Sequence, residues 1–140
     1  MNDVAKFIAG ATAGAPYGKH LGLECTTLET DHAVFRLPFR EHNVTVGDMV
    51  HGGAIASLVD TAATAACWST PGLPENPRGS TIGFSINYLN AARSADLTAD
   101  ATVIRRGGSV CVADVWVRNA QGEAVARATV TYKLSGASGR

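Results

Sequence analysis

The sequence places its most informative residues in one stretch, 50–68, where two glycines precede a long apolar run that contains a single acid. Gly52 and Gly53 stand at the start of this run, and Asp60 is its only charged residue. A charge buried without a partner costs several kcal/mol, or its pKa shifts until the group is neutral. Because perturbed carboxylates concentrate at functional sites, Asp60 is predicted to be a catalytic group. The alternative interpretation is a structural carboxylate that accepts a hydrogen bond from a nearby threonine hydroxyl.

The glycine pair has two interpretations of equal weight. The first turn of a helix leaves backbone N–H groups without partners and carries the positive end of the helix dipole. Glycine lets an external group approach that backbone closely, which favours binding of an anion or of the oxyanion that forms on a carbonyl. Alternatively, the glycines only permit close packing against a strand. His51 precedes them and is interpreted as a helix-start residue bonded to the backbone, not as the general base.

The spacing of Asp60 and Gly53 predicts that a working site needs two chains. Seven helical residues bring the two onto nearly the same side of the helix, but about 10.5 Å apart along its axis. An acid and an oxyanion donor so far apart cannot both contact one carbonyl group. If two such helices lie antiparallel across a two-fold axis, Asp60 of one chain faces Gly53 of the other, and a dimer has two equal sites.

Local patterns predict one short helix, two strands, the long central helix and four more strands. The first helix follows from apolar residues at helical spacing after an N-capping Asn2 or Asp3. The later segments alternate apolar and polar residues and are joined by short turns, which favours an antiparallel meander. The predicted helices are 2–10 and 50–68, the strands are 21–29, 33–38, 81–89, 97–104, 110–118 and 124–134, and the loops are 11–19, 39–49 and 69–79.

The central helix is apolar on nearly every side, so it must be covered by other elements. A strongly curved antiparallel sheet wrapped around it is the α+β arrangement that we expect for a chain of this length. Alternation within the strand 81–89 predicts that four of its residues share one face. These are Ile82, Phe84, Ile86 and Tyr88.

Length and composition indicate one domain and argue against several functions. The 140 residues contain no internal repeat and no linker, so one domain is predicted over 1–140, with an N-terminal helix and loop over 1–20 and a flexible tail over 135–140. The formal net charge is zero, which argues against partners such as nucleic acid or a membrane surface. No apolar run approaches ~20 residues, so no transmembrane helix is expected.

Cysteines and histidines do not indicate a metal site. Cys25, Cys67 and Cys111 are odd in number, far apart and embedded in apolar patterns, which is typical of reduced core cysteines in a cytoplasmic protein. The four histidines are scattered, and no pair has the spacing of metal ligands. The first residues also lack the basic and apolar regions of a secretory signal. We therefore expect a cytoplasmic protein without a metal.

The combination of His51-Gly52-Gly53, Asp60 and the strand 81–89 resembles the hotdog-fold acyl-CoA thioesterases, most closely their PaaI-like, phenylacetate-pathway branch. The resemblance covers nearly the whole chain, from about Leu21 to Leu134. It implies a hotdog fold, in which a curved antiparallel sheet wraps one long helix. It also implies a homodimer with a continuous sheet, usually paired into a homotetramer, and no cofactor other than the coenzyme A of the substrate.

The resemblance assigns roles to the residues of the central helix and of the strand that follows it. Asp60 becomes the catalytic carboxylate, acting as general base on water or as nucleophile on the thioester carbon. The backbone N–H of Gly53, or of Gly52, polarises the thioester oxygen, and His51 of the same motif is included among the catalytic candidates. Thr81 falls where the family often has a Ser or Thr that positions the carboxylate or the water; its alternative role is that of an ordinary strand residue.

Two further segments are implied to bind substrate. Arg105, Arg106 and Gly107 fall where relatives hold the nucleotide phosphates of coenzyme A, and guanidinium groups beside glycines suit phosphate; a solvated hairpin tip is the alternative. Close relatives also have an Asn six residues before the histidine that contacts the thioester oxygen. Here Thr45 holds that position and Asn43 lies eight residues before His51, so either Asn43 reaches the site through a longer loop or the glycine works without it.

The expected function is hydrolysis of a small, medium-chain or aryl acyl-CoA to the free acid and coenzyme A. A non-catalytic acyl-CoA-binding or sensing protein on the same fold is the first alternative. Asp60 argues against it, because a sensor has no use for a carboxylate beside the carbonyl. An enoyl-CoA hydratase or dehydratase is the second alternative and fits less well, since the chain lacks the paired His and acidic residues of the hotdog dehydratases.

Overall fold

One long helix packs against one face of a six-stranded antiparallel sheet in the computed structural model, which describes residues 2–136. The sheet is not closed into a barrel, and its strand order is β1-β2-β4-β5-β6-β3. This arrangement confirms the predicted hotdog fold. The helices are α1 (Asp3–Ala11), α2 (Pro16–Leu21) and the central α3 (Gly52–Trp68), and the strands are β1 (Glu24–Glu29), β2 (His32–Leu37), β3 (Pro77–Tyr88), β4 (Leu97–Arg106), β5 (Val110–Arg118) and β6 (Ala124–Gly136).

Small residues let α3 lie close to the sheet. The buried side of the helix carries five alanines and a cysteine among its larger aliphatic residues, and these side chains form one cluster with the inward-facing residues of the strands. Burial of apolar surface contributes about 25 cal/mol per Å², so this cluster holds the helix in place. The buried residues of α3 are Ala54, Ile55, Leu58, Val59, Ala62, Ala63, Ala65, Ala66 and Cys67.

The predicted first helix is found within one residue of its place, and the Asn2 side chain accepts a hydrogen bond from the Ala5 N–H. The loop predicted over 11–19 is wrong in its second half, where α2 forms. Pro16 at the first helical position and Gly22 in the left-handed region (φ 75°) at the end of α2 delimit this one-and-a-half-turn helix. The flexible tail predicted over 135–140 is also wrong at its start, because β6 continues to Gly136; residues 137–140 lie outside the described part.

The meander predicted for the last four strands holds only for β4, β5 and β6. β3 begins at Pro77, before its predicted start, and pairs with β6 at the edge of the sheet, while β4 pairs with β2. The pairing of β2 with β4 is favourable because it places buried residues opposite buried residues. Ala33 lies opposite Ala101, Phe35 opposite Ala99, and Leu37 opposite Leu97.

A β-bulge in β3 changes which of its residues face the helix. The register with β6 shifts between Thr81 and Gly83, so Ile82 is the extra residue. From the bulge onward, four β3 residues therefore lie opposite buried β6 residues and share the inner face: Thr81 with Tyr132, Phe84 with Val130, Ile86 with Ala128, and Tyr88 with Ala126. The predicted face is corrected in one position, because Thr81 takes the place of Ile82.

Candidate active site

The start of α3 is capped by a histidine side chain. His51 Nδ1 accepts a hydrogen bond from the Gly53 N–H at 2.7 Å. A ring nitrogen that accepts must be unprotonated, so the neutral imidazole carries its proton on Nε2. The predicted helix-start role of His51 agrees with this contact. The Gly53 N–H is thereby engaged within the chain, whereas among residues 2–136 no atom accepts from the Gly52 N–H.

A tyrosine from the edge strand holds the same glycine pair. The Tyr88 hydroxyl donates to the Gly52 carbonyl oxygen at 2.7 Å. A Cβ added to Gly52 would lie 3.3 Å from atoms of the Tyr88 side chain, so the ring packs directly on the glycine. Sequence reasoning placed Tyr88 only on a strand face. The sequence indicated that Tyr88 lies on the inner face at the end of β3. No sequence signal indicated its contact with Gly52, which is 36 positions away.

The second half of the site is a carboxylate held by the same strand. The Thr81 hydroxyl donates to Asp60 Oδ1 at 2.6 Å, and both residues are partly buried. The bulge at Ile82 makes this contact available, because it puts Thr81 on the inner face of β3. Thr81 lies opposite Tyr132, whose hydroxyl accepts from Trp68 Nε1 at 2.6 Å. Burial raises the pKa of Tyr132, so its hydroxyl stays protonated beside the carboxylate.

Within one chain, the Asp60 carboxylate and the open Gly52 N–H lie far apart. Asp60 follows Gly52 by eight helical residues, a separation of about 12 Å along the axis. Both nevertheless adjoin β3, which is an edge strand with β6 as its one neighbour in the described sheet. Its side chains are unusually exposed for apolar residues: Ile82 is 60% exposed, Phe84 37% and Tyr88 50%. A long apolar edge strand is a template for pairing with another chain.

A cavity of about 360 Å³ lies beside Gly52. Its walls are mostly apolar, and its polar groups are contributed by one threonine, one asparagine and Tyr88. Thr45 lines this cavity, whereas Asn43 is 7% exposed and does not. The Asn43 side-chain nitrogen is buried without a hydrogen-bond partner among the described residues. The lining residues are Thr45, Met49, Val50, Gly52, Ile55, Tyr88, Leu89, Asn90 and Ala91.

The loop that carries Thr45 is tied to the chain after β3. Asp48 accepts from the Ser94 hydroxyl at 2.7 Å and from Arg93 at 3.1 Å, and these two donors lower the pKa of its carboxyl group. The His51 N–H donates to the Asn43 carbonyl at 2.8 Å. These bonds set the approach of the loop to the helix start, and so the position of the cavity wall.

The two arginines of the β4–β5 turn do not lie together. Arg106 donates to the Asp31 carboxylate at 2.7 and 3.0 Å and to the Cys67 carbonyl at 3.0 Å, which leaves its Nη1 without an acceptor in the described part of the chain. With Gly107 it lines a cavity of about 490 Å³. Arg105 lies opposite Val112 on the outer face and does not line that cavity, whereas Arg106 lies opposite the buried Cys111.

Neither a metal site nor a spanning helix is found where the structure is described. Within residues 2–136, no three His, Cys, Asp or Glu side chains lie close enough together to hold an ion. No helix in this range has the length and hydropathy needed to cross a membrane. The three cysteines are free, and burial raises the pKa of both Cys25 and Cys67.

Comparison with known proteins gives consistent matches. The family model of the thioesterase superfamily matches residues 47–126. The medium/long-chain acyl-CoA thioesterase YigI of Escherichia coli is 33% identical over 134 residues, which covers 85% of each chain. The PaaI protein of the Escherichia coli phenylacetic acid degradation operon is 26% identical, with a TM-score of 0.76 and 92% of each chain covered. A hypothetical thioesterase protein of Streptococcus pneumoniae, solved with coenzyme A, is 25% identical, with a TM-score of 0.74 and 94% of each chain covered.

Proposed function

This chain belongs to the thioesterase superfamily and is a thioester hydrolase, and from that premise we propose that it cleaves acyl-coenzyme A thioesters to the free acid and coenzyme A. The observation that carries the proposal is the pair of groups held by β3: Asp60, bonded to Thr81, and the open Gly52 N–H, beside the carbonyl that Tyr88 binds. The coenzyme A in the Streptococcus pneumoniae relative and the name of the YigI relative support the substrate class.

In the proposed reaction the thioester oxygen accepts from the Gly52 N–H of one chain, next to Asp60 of the partner subunit. The partner's Asp60 takes a proton from a water molecule as the water oxygen attacks the carbonyl carbon. The electron pair of the C=O bond moves to the thioester oxygen. The helix N-terminus stabilises this oxyanion. Collapse re-forms the C=O bond and expels the coenzyme A thiolate, which takes the proton back from Asp60. Direct attack by the partner's Asp60 on the carbonyl carbon would instead break the C–S bond, expel the coenzyme A thiolate and leave an anhydride, which water then opens to the free acid and the Asp60 carboxylate.

We assign the oxyanion contact to Gly52 in preference to Gly53. The Gly53 N–H is occupied by His51 Nδ1 at 2.7 Å, so a substrate would have to displace the imidazole to use it. The Gly52 N–H needs no such displacement. Thr45 rather than Asn43 is assigned the place of the family's loop asparagine, because it lines the cavity beside Gly52 while the Asn43 amide is buried.

We propose a homodimer formed through the β3 edge, because the two halves of one site lie about 12 Å apart within a chain. Antiparallel pairing of two β3 strands would continue the sheet and cover the exposed Ile82, Phe84 and Tyr88 side chains. A homotetramer of two such dimers and a cytoplasmic location remain proposals from the family resemblance and from the free cysteines.

The nucleotide phosphates of coenzyme A are assigned to the cavity beside the β4–β5 turn. Arg106 and Gly107 line it, and the Arg106 Nη1 group has no other acceptor among residues 2–136. The turn lies near the C-terminal end of α3, where the Arg106 guanidinium donates to the Cys67 carbonyl oxygen.

The test is release of free thiol from a panel of acyl-CoAs by the wild type, by Asp60→Asn and by Asp100→Asn. Loss of a general base lowers kcat by about 10²–10⁴-fold, so Asp60→Asn should be nearly inactive. Asp100 accepts a side-chain hydrogen bond from His32 on the outer face of the sheet, so Asp100→Asn is the matched control with full activity. Equal rates for all three proteins would refute the role of Asp60. Tight acyl-CoA binding by calorimetry without turnover would instead indicate a non-catalytic binding protein.

A further inference from the structure

The peptide group between Gly52 and Gly53 has a side-chain hydrogen-bond partner at its carbonyl oxygen and another at its N–H. Its carbonyl oxygen accepts from the Tyr88 hydroxyl, and its N–H donates to His51 Nδ1, both at 2.7 Å. Glycine has more backbone freedom than alanine to lose when a helix forms. Two successive glycines at a helix start therefore need external contacts if a donor there is to keep one direction. His51 and Tyr88 supply those contacts.

The two residues that make these contacts, His51 and Tyr88, come from different parts of the chain. His51 adjoins the glycines in sequence, whereas Tyr88 comes from the end of β3 and packs its ring against Gly52. β3 is also the strand whose Thr81 binds Asp60. Tyr88 therefore fixes the start of α3 relative to β3, the strand whose Thr81 holds the Asp60 carboxylate.

The same tyrosine forms a wall of the cavity beside Gly52. That cavity has a volume of about 360 Å³ and is lined mainly by apolar side chains, among them Met49, Ile55 and Leu89. At about 30 Å³ per methylene-sized group, estimated from the volume of a water molecule, it holds roughly 12 non-hydrogen atoms. This capacity suits a medium-chain or aryl acyl group, whose carbonyl would then lie at the Gly52 N–H.

We propose that Tyr88 is both a positioning residue for the Gly52 N–H and a determinant of acyl-group length, an inference that rests on the proposed thioesterase function. Its hydroxyl fixes the Gly52–Gly53 peptide group, which is joined through the Gly52 Cα to the peptide group that carries the Gly52 N–H, and its ring bounds the space for the acyl group. An acyl group that packs against the ring therefore contacts the residue that orients the oxyanion donor. Groups longer than the cavity displace the ring and disturb that donor.

The experiment compares Tyr88→Phe, Tyr88→Leu and Tyr17→Phe with the wild type on acyl-CoAs from acetyl to palmitoyl. Tyr17→Phe is the matched control, since its hydroxyl only accepts from Ser57 at 3.4 Å on the surface. Tyr88→Phe should lower kcat about tenfold for every acyl group, with KM within about twofold, because one hydrogen bond is lost and the wall is kept. Tyr88→Leu should in addition shift the preferred acyl group to a longer one.

A second readout does not depend on activity. In protein labelled with ¹⁵N-glycine, the amide signals of Gly52 and Gly53 should shift or broaden in Tyr88→Phe, while that of Gly122 in the β5–β6 turn stays unchanged. If the wild type hydrolyses acyl-CoAs but Tyr88→Phe matches Tyr17→Phe in kcat, the inference is wrong while the proposed function stands. If the wild type is inactive on the whole panel, the proposed function fails. Unchanged Gly52 and Gly53 amide signals in Tyr88→Phe would overturn the positioning role of Tyr88, whether or not the wild type is active.

Discussion

Replacement of Gly52 by proline removes one hydrogen-bond donor from the proposed site and leaves the helix in place. Proline lacks the backbone N–H, and Gly52 is the first residue of α3, the helical position that tolerates proline best. The residue before a proline must be extended, and His51 already has φ −62° and ψ 133°. The Gly52 N–H has no acceptor within the described chain, so no internal hydrogen bond is lost.

The size of the effect follows from the role assigned to this donor. Loss of one oxyanion-hole donor lowers kcat by about 10²–10³-fold, or about 2.7–4 kcal/mol in the activation free energy. Stability should change much less, because proline also restricts the unfolded chain and so adds about 0.4–1 kcal/mol where its backbone angles fit. We therefore expect a folded protein with almost no turnover.

Gly52→Ala is the control for the added Cβ. Both substitutions add a Cβ 3.3 Å from the Tyr88 side chain, but alanine keeps the donor. The assay measures thiol release at saturating acyl-CoA for the wild type and both variants, with the melting temperature of each recorded. A proline variant that melts like the alanine variant and turns over as fast would refute the assignment of Gly52. Inactivity of both variants would point to the added Cβ and its contact with Tyr88.

Two further predictions concern the partner subunit and the coenzyme A end of the substrate. Mixing Asp60→Asn chains with Gly52→Pro chains should restore about a quarter of the wild-type activity, since half of the dimers are mixed and each has one intact site; no recovery after subunit exchange would indicate a site within one chain. Arg106→Gln should raise KM about 5–10-fold with kcat little changed, since charged hydrogen bonds contribute about 1.5–3 kcal/mol and Asp31 already shares this guanidinium. Arg105→Gln on the outer face should change KM less than twofold, and equal effects of the two variants would contradict the cavity assignment.

The elements that depend on local pattern were predictable, and those that depend on distant pairing were not. The central helix follows from its apolar composition, although it begins at Gly52, two residues after the predicted start at residue 50. Nothing local shows that β3 lies at the sheet edge beside β6, because that order is selected by matching of buried residues such as Phe35 and Ala99 across strands distant in sequence. Alternation likewise could not reveal the bulge, since Ile82 fits the apolar pattern.

The candidate site shows the same division. Asp60 and the glycines stand out because a lone acid and paired glycines are unusual in an apolar helix. Which glycine keeps a free N–H depends on the rotamer of His51, and whether Arg106 is free depends on Asp31, a residue 75 positions away. The hydrogen bond of Tyr88 depends on the register of β3 after its bulge. These are properties of packing, and no residue type or spacing specifies them.

The exposed edge of β3 connects assembly with chemistry. This strand holds Asp60 through Thr81 and the helix start through Tyr88, and its free edge is the surface through which we propose that a second chain binds. Displacement of β3 would move both contacts together, because they lie on one continuous strand. Dimer formation would therefore do more than bring Asp60 of the partner subunit to Gly52. By pairing the free edge it would restrain β3, and so reduce the motion of the carboxylate and of the oxyanion donor at once.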